Sequence, residues 1–280
     1  MSRFPRRALC ALLGAVAVLV AGCGNTAGSG EQDLFEALPA PSPPPTAVPT
    51  PRIDDARSPH NSGPSASRDE WRLVFGDDFD DARLDPAVWN RYNSVGGFGN
   101  GFRRPGAISV RDGKLRITAR GNVSGGMNHE HSQTYGRWEF RARTEKGRGR
   151  GSAILLWPDS LDKETDGELD MMEVPREDRG QAHFVIHYSA QNKLAGSKVN
   201  GDFSQWHTFA MDWLPNRITW YVDGVKQFET TDRNVIPTSR MHLAIQLDMG
   251  PYEEWILAAD ETTPAEVSLE VDWVRVYQRR

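Results

Sequence analysis

The chain has 280 residues and a formal net charge of −5. This acidic balance, without a basic block in the C-terminal part, argues against nucleic acid as a partner. Its two cysteines, Cys10 and Cys23, both lie near the N-terminus. The rest of the chain therefore offers neither an intramolecular disulfide nor a cysteine-ligated metal site.

Residues 1–22 have the layout of a secretory signal peptide. Three arginines precede an apolar run over residues 8–20, which is short for a membrane span. Val-Ala-Gly-Cys at residues 20–23 resembles a bacterial lipobox, which implies cleavage before Cys23 and lipid attachment to it. An ordinary signal that leaves a free thiol is the alternative. We expect an exported protein, lipid-anchored to the outer face of the bacterial cell membrane.

Residues 23–67 form a segment rich in proline and serine. Its proline run over residues 39–51 cannot bury enough apolar area to fold. The composition predicts a disordered tether that holds a domain away from a membrane or passes through a wall layer. A proline-rich recognition ligand is the alternative interpretation.

From residue 68 to residue 280, short alternating segments are separated by Gly, Pro, Asn and Asp, and no long helical period is present. Asp223-Gly224 predicts a hairpin turn. The pattern predicts an all-β sandwich or jelly roll of two antiparallel sheets. The predicted strands are Trp71–Phe75, Lys114–Ala119, Tyr135–Arg143, Ala153–Trp157, Glu168–Val174, His183–Tyr188, His207–Trp213, Arg217–Val222, His242–Leu247 and Val267–Tyr277.

The fifth predicted strand carries three carboxylates. Glu168 and Asp170 share one face because side chains alternate along a strand. Glu173 is five steps from Glu168 and would point the other way, but one bulge at the Met171–Met172 step returns it to the same face. Two carboxyl groups flanking a sugar bond are the equipment of a glycoside hydrolase. A solvated acidic strand edge is the alternative.

The next predicted strand places two histidines near these acids. If the hairpin is centred near Asp178, Glu173 faces His183, and with the bulge Glu168 faces His187. Both histidines then share the acid face, where His187 could hydrogen-bond a sugar or tune an acid. A structural histidine in the sheet is the alternative.

The acid row resembles the active-site motif of glycoside hydrolase family 16, in its bulged form E-x-D-x-x-E. Four other segments resemble strands of that family in the same order: Asp77–Trp89, Tyr135–Arg143, Trp206–Gly224 and Val271–Tyr277. The resemblance covers the chain from about residue 71 to its C-terminus. It implies a concanavalin-A-like jelly roll with a concave substrate groove.

The resemblance also implies roles for the three acids. Glu168 would be the nucleophile and Glu173 the general acid/base of a retaining mechanism, with Asp170 between them setting their pKa values apart. The implied substrate is a β-linked polysaccharide, with β-1,3- or β-1,3-1,4-glucan favoured. No cofactor is required. Some members carry a structural calcium ion, for which Asp272 is the candidate ligand.

Three further residues are candidate sugar contacts. Trp157 lies two positions from an aromatic residue of laminarinases, and two steps keep the same strand face. Asn100 lies in a segment, Phe98–Phe102, that resembles a laminarinase loop whose Asn contacts sugar. Gln246 lies on the polar face of its predicted strand. A core Trp and a plain turn Asn are the alternatives.

Departures from the laminarinase pattern leave the substrate open. Lys163–Gly167 fills the position where laminarinases carry a Trp-Pro pair before the catalytic Gly-Glu. The sequence therefore supports hydrolytic activity better than it supports any one glucan as the substrate. The alternatives are an envelope-polysaccharide transglycosylase and a non-catalytic carbohydrate-binding lipoprotein. A monomer is expected.

Overall fold

The computed structural model of the protein describes residues 70–280, so the predicted signal peptide, Cys23 and the tether lie outside the described residues. No helix in residues 70–280 is long and apolar enough to cross a membrane. These residues form strands, one helix, α1 (Lys163–Asp166), and 3₁₀ turns at Gly97–Gly99 and Pro105–Ala107. The strands are β1 Trp71–Asp77, β2 Trp89–Arg91, β3 Ser94–Val95, β4 Phe102–Arg103, β5 Ile108–Val110, β6 Leu115–Arg120, β7 Val123–Gln133, β8 Gly136–Thr144, β9 Arg150–Pro158, β10 Glu168–Val174, β11 Gln181–Tyr188, β12 Lys193–Asn200, β13 His207–Leu214, β14 Arg217–Val222, β15 Val225–Thr230, β16 Met241–Met249 and β17 Glu266–Arg279.

These strands form two sheets. The first, called the cleft sheet here, has the order β2, β7, β16, β9, β10, β11, β12. The second, called the back sheet, has β17 between β1 and β6 on one side and β8 on the other, with β13, β14 and β15 continuing from β8. Among the described residues only the β4–β7 pair is parallel. The expected sandwich of two antiparallel sheets is confirmed, and each of the ten predicted strands is present.

The hydrophobic core fills the space between the two sheets. Trp213 and Trp220 of the back sheet are fully buried there, as are Leu156, Met171 and Ile245 of the cleft sheet. Full burial of one large apolar side chain contributes about 1.5–3 kcal/mol. Because inward and outward side chains alternate along each strand, the other face of the cleft sheet can carry polar groups.

A buried arginine fixes the turn between β10 and β11. Arg179 is fully buried, and burial lowers its pKa to about 10. The turn that leads into β9 and the turn that follows β10 are tied together by this one side chain. Its guanidinium donates hydrogen bonds to the backbone carbonyls of Glu145, Gly147, Arg150, Val174 and Arg176.

The short helix α1 leads into β10 and is held at both ends. Asp162 caps it by accepting a hydrogen bond from the Thr165 N–H at 3.2 Å. Gly167 ends it with φ +82°, and a Cβ atom there would lie 2.9 Å from the carbonyl oxygen of His187. Only glycine fits this conformation and this approach without strain. α1 therefore holds Lys163 in a defined place beside the start of β10.

Candidate active site

A bulge in β10 brings three acids to one face of the cleft sheet. Against β9, the register shifts between Asp170 and Met172, which leaves Met171 as the extra residue. Met171 and Met172 are both buried in the core between the sheets. The strand therefore turns two successive side chains inward, and Glu173 returns to the face that carries Glu168 and Asp170. The predicted bulge is confirmed.

The pairing of β10 with β11 also follows the prediction. Glu168 lies opposite His187, and Glu173 lies opposite His183. The Nε2 atom of His187 lies 3.3 Å from Asp170 Oδ2 and 3.8 Å from Glu168 Oε2. Its Nδ1 atom lies 2.8 Å from the side-chain oxygen of Asn192, which orients the ring.

The two histidines differ in their surroundings. His187 lines the cleft beside the acids. His183 is buried and packs against the ring of Trp255, with centroids 4.5 Å apart. Burial lowers the pKa of His183 to about 4, with the cations Lys198 and Arg176 adding to the effect. His183 is therefore neutral near pH 7 and contributes packing, whereas His187 faces the acids.

Burial and neighbouring charge raise the proton affinity of two of the acids, Asp170 and Glu173. Burial raises the pKa of Asp170 well above its usual range, and the neighbouring Glu168 carboxylate adds to this. Burial likewise raises the pKa of Glu173, with Asp170 and Glu168 adding to it. A carboxyl group with raised proton affinity, beside one that contacts a cation, is the arrangement that acid-assisted sugar cleavage requires.

The cation beside this row is Lys163. Its Nζ atom lies 3.3 Å from Glu168 Oε2 and 6.0 Å from the centre of the Trp157 ring. Burial alone would lower the pKa of Lys163, but the carboxylates of Glu168 and Asp170 hold it above its ordinary value. The lysine therefore stays charged at the cleft floor.

Glu168 and Glu173 line a cleft of about 960 Å³ on the outer face of the cleft sheet, whereas Asp170 is buried. The cleft floor carries an apolar strip, in which Trp157 packs against Ala153, Leu155 and Ala244. Ala153, Leu155 and Trp157 follow one another at every second position of β9, so side-chain alternation places all three on one face of the sheet. An apolar strip beside hydrogen-bonding groups suits a sugar ring, which has C–H faces and a polar rim.

Three of the four predicted sugar contacts line the cleft. Trp157, His187 and Gln246 line the cleft, as the sequence predicts. Asn100 does not line it, because its side-chain amide donates a hydrogen bond to the Pro251 carbonyl at 2.6 Å. The loop that contains Asn100 instead presents Phe98 to the cleft.

Two aromatic side chains from separate loops meet at the cleft. The rings of Phe98 and Tyr252 are stacked, with centroids 3.8 Å apart and planes 14° apart. The Asn100–Pro251 hydrogen bond joins the same two loops. We call these four residues the loop clasp. Since Phe98 is 50% and Tyr252 39% exposed, both rings keep surface that a sugar can contact.

One wall of the cleft is an ion pair that the sequence does not single out. Asp248 follows Gln246 on the polar face of β16 and accepts from Arg103 Nη2 at 2.5 Å. The Arg103 guanidinium also lies 5.5 Å from the centre of the Tyr92 ring. Burial raises the pKa of Tyr92 to about 12, so its hydroxyl stays a hydrogen-bond donor. Gly126 permits this packing, because a Cβ there would come within 2.7 Å of the Tyr92 ring.

The described residues do not fit a metal ion at either candidate position. Glu168, Asp170 and His187 have potential ligand atoms within 4.8 Å of one another. However, the Lys163 ammonium already supplies a positive charge there, which would repel a cation. Asp272, the calcium candidate of the sequence, forms an ion pair with Arg141 at 2.7 Å instead.

A β-sandwich with a long cleft and a row of three carboxyl groups on one strand has the equipment of a polysaccharide-cleaving glycosidase. The sequence match agrees with this class. The family described as glycosyl hydrolases family 16 matches residues 101–275. The chain belongs to this family, and it is a glycosidase that hydrolyses O-glycosyl bonds.

Individual relatives agree with the family. The beta-glucanase of Rhodothermus marinus is 30% identical over 248 residues, which cover 74% of this chain and 85% of that protein. The catalytic domain of an endo-1,3-beta-glucanase (laminarinase) from Thermotoga petrophila RKU-1 is 26% identical with a TM-score of 0.69, covering 76% of this chain and 99% of that one. SCLam, a non-specific endo-beta-1,3(4)-glucanase, is 27% identical with a TM-score of 0.66, covering 78% and 95%. The expected jelly-roll fold is confirmed.

Proposed function

We propose that the protein is a retaining endo-β-glucanase that cleaves β-1,3 or mixed β-1,3-1,4 linkages. The observation that carries this proposal is the bulged row of Glu168, Asp170 and Glu173 on β10, whose two glutamates line the cleft. The named activities of the relatives above support the choice of β-glucan. The cleft volume of about 960 Å³ lies at the upper end of the range for small-molecule sites, which suits a chain of sugars.

The roles of the acids follow from their surroundings. Glu168, which contacts the Lys163 ammonium, attacks the anomeric carbon and forms a glycosyl ester. Glu173, whose pKa is raised by burial, gives its proton to the leaving oxygen. Glu173 then takes a proton from water, which attacks the ester and releases the sugar with retained configuration. Asp170 lies between the two and keeps their proton affinities apart.

The first experiment measures reducing ends released from laminarin, lichenan and cellulose, beside Glu168→Gln as the matched inactive variant. We expect release from laminarin or lichenan, and a loss of roughly three or more orders of magnitude in the variant because the nucleophile is gone. NMR of the first product should show the β-anomer.

The outcomes of this experiment separate the alternatives. Activity that persists in Glu168→Gln, despite an unchanged melting temperature, would contradict the assigned nucleophile. Products longer than the starting oligosaccharide would instead favour transglycosylation. Binding without turnover in the wild type would favour a carbohydrate-binding protein.

We also propose that the protein is exported and anchored by a lipid on Cys23, outside the bacterial cell membrane. The support is the lipobox-like sequence at residues 20–23, which follows a basic and then an apolar stretch. The proline-rich residues after it would act as a tether to the catalytic domain. A surface location suits an enzyme whose substrate is a polymer too large to enter the cell.

A further inference from the structure

Lys163 contacts the acid row from outside the strand that carries it. It is the first residue of α1, and the cap at Asp162 and the glycine at position 167 hold that helix in place. Its Nζ atom lies 3.3 Å from Glu168 Oε2, and its side chain is 29% exposed. The fixed backbone and the short distance make this a defined contact, unlike that of a freely moving surface lysine.

The acid row poses a charge problem that such a contact can solve. Glu168, Asp170 and Glu173 share one partly enclosed site, and neighbouring carboxylates there cannot all be ionised. Cleavage needs the negative charge on the nucleophile and the proton on the acid. A proton placed on the wrong carboxyl group would leave the row inactive.

The groups that face Glu168 favour one distribution of charge. Asp170 and Glu173 lie on the same face of β10 as Glu168, so a negative charge on either would disfavour the ionised form of Glu168. His187 faces it from β11, but its Nε2 atom is nearer to Asp170. Lys163, from α1, is the cation nearest to Glu168 among these groups.

The carboxyl group of Asp170 also acts on the charge of Lys163, but the ion pair that this lysine forms is with Glu168. The β9 side chain near Lys163 is Trp157, which is uncharged. Tyr252 of the loop clasp acts on Lys163 as well. The ammonium is therefore directed to Glu168.

We propose that Lys163 is a positioning residue that keeps the negative charge of the acid row on Glu168, and so leaves the catalytic proton on Glu173. This inference rests on the proposed roles of those two residues. An ammonium at 3.3 Å stabilises the ionised form of Glu168 and does nothing for its protonated form. Removal of the ammonium should therefore change the pH dependence of activity.

The test is the pH dependence of kcat/KM on the best β-glucan, measured for the wild type, Lys163→Met and Lys163→Arg. In Lys163→Met the acid limb should move upward by about one pH unit, since an opposite charge at this range lowers a carboxyl pKa by about 1–3. Below that limb, kcat/KM should fall about tenfold. Lys163→Arg keeps the charge and should keep the limb near its wild-type position.

The matched control is Lys226→Met. Lys226 also contacts a carboxylate, Glu229, at 3.6 Å, but it lies on the back sheet and is 56% exposed. This control should leave the profile unchanged. Melting temperatures of all variants show whether any loss comes from unfolding.

Two results would overturn the inference. One is a lower kcat/KM for Lys163→Met at every pH with an unshifted acid limb, which would indicate a merely structural role. The other is a rise in KM alone, which would make Lys163 a substrate contact. A wild type inactive on every β-glucan would instead contradict the proposed function, and with it the roles on which the inference depends.

Discussion

At the scale of single residues, Glu173 shows a conflict between stability and chemistry. Its raised pKa means that the folded protein binds this proton more tightly than the unfolded chain does. The free energy of unfolding therefore falls as the pH rises from the ordinary glutamate pKa to the raised one. The enzyme therefore keeps a glutamate whose ionised form is disfavoured by burial, and this glutamate is the proposed proton donor.

We therefore predict that Glu173→Gln is both inactive and more stable. Loss of the acid/base should lower kcat about 10²–10⁴-fold. A tenfold change in proton affinity corresponds to about 1.4 kcal/mol of stability. In a domain of this size, each kcal/mol shifts the melting temperature by about 2–4 °C. Thermal melts should show the variant at least about 2 °C more stable at pH 7, and this advantage should vanish below the ordinary glutamate pKa.

Glu130→Gln is a suitable control because Glu130 is exposed on β7. It should change neither activity nor melting temperature at any pH. If Glu173→Gln were less stable than the wild type at pH 7, the inferred cost of ionising Glu173 in the folded protein would be disproved.

At the same scale, the sequence could identify the acids but not the residue that assigns their charge. Glu168, Asp170 and Glu173 follow from strand alternation plus one bulge, because three acids on one strand are informative by themselves. Lys163 lies in a four-residue helix that no periodicity predicts, and only its distance to Glu168 gives it a role. The contact of Asn100 with Pro251 could not be predicted for a related reason, since its partner is a backbone carbonyl 151 residues away.

At the scale of elements, the loop clasp should contribute to substrate binding. Phe98→Ala removes one of two stacked rings that line the cleft, and so leaves the ring of Tyr252 without its stacking partner. An aromatic pair contributes about 0.5–1.5 kcal/mol, which corresponds to a rise in KM of about twofold to tenfold. The kcat value should change little, because the clasp is not among the acids that react.

Steady-state kinetics on a soluble β-glucan test this prediction. The matched control is Val225→Ala, which trims an exposed apolar side chain at the β14–β15 hairpin of the back sheet. An unchanged KM in Phe98→Ala would mean that the clasp only joins the two loops. An equal fall of kcat would mean that it positions the acids.

The strands were predictable where apolar and polar residues alternate along the sequence. β10 and β11 pair in the predicted register because Glu173 and His183 are equally far from Asp178. β7 was not predicted, since its sequence contains Gly125-Gly126 and five polar residues in a row from Asn128 to Ser132. Its neighbours in both sheets, and not its own pattern, make it a strand.

At the scale of the whole molecule, the proposed lipid anchor determines where catalysis takes place. Residues 23–67 number 45 and would span up to about 140 Å if extended at about 3.1 Å per residue. The catalytic domain could then reach polymers well beyond the membrane surface. Its negative net charge is no obstacle, because β-glucans are uncharged.

We predict that Cys23→Ala abolishes lipid attachment but leaves catalysis intact. Labelled fatty acid should no longer be incorporated, and the protein should move from the detergent phase to the aqueous phase. Cys10→Ala should behave like the wild type, because residue 10 would be removed with the signal peptide. An unchanged phase distribution of Cys23→Ala would contradict the anchor, whereas kcat/KM should be equal in all three proteins.

The bulge at Met171 also bears on how this enzyme can evolve. A one-residue deletion in a strand ordinarily turns the following side chains to the opposite face. Here Met171 is the extra residue, so its loss would leave three acids alternating regularly on the same face. One codon therefore separates a bulged and a regular form of the strand, both of which keep the acid row. A lineage could pass between these forms without an intermediate that has lost its chemistry.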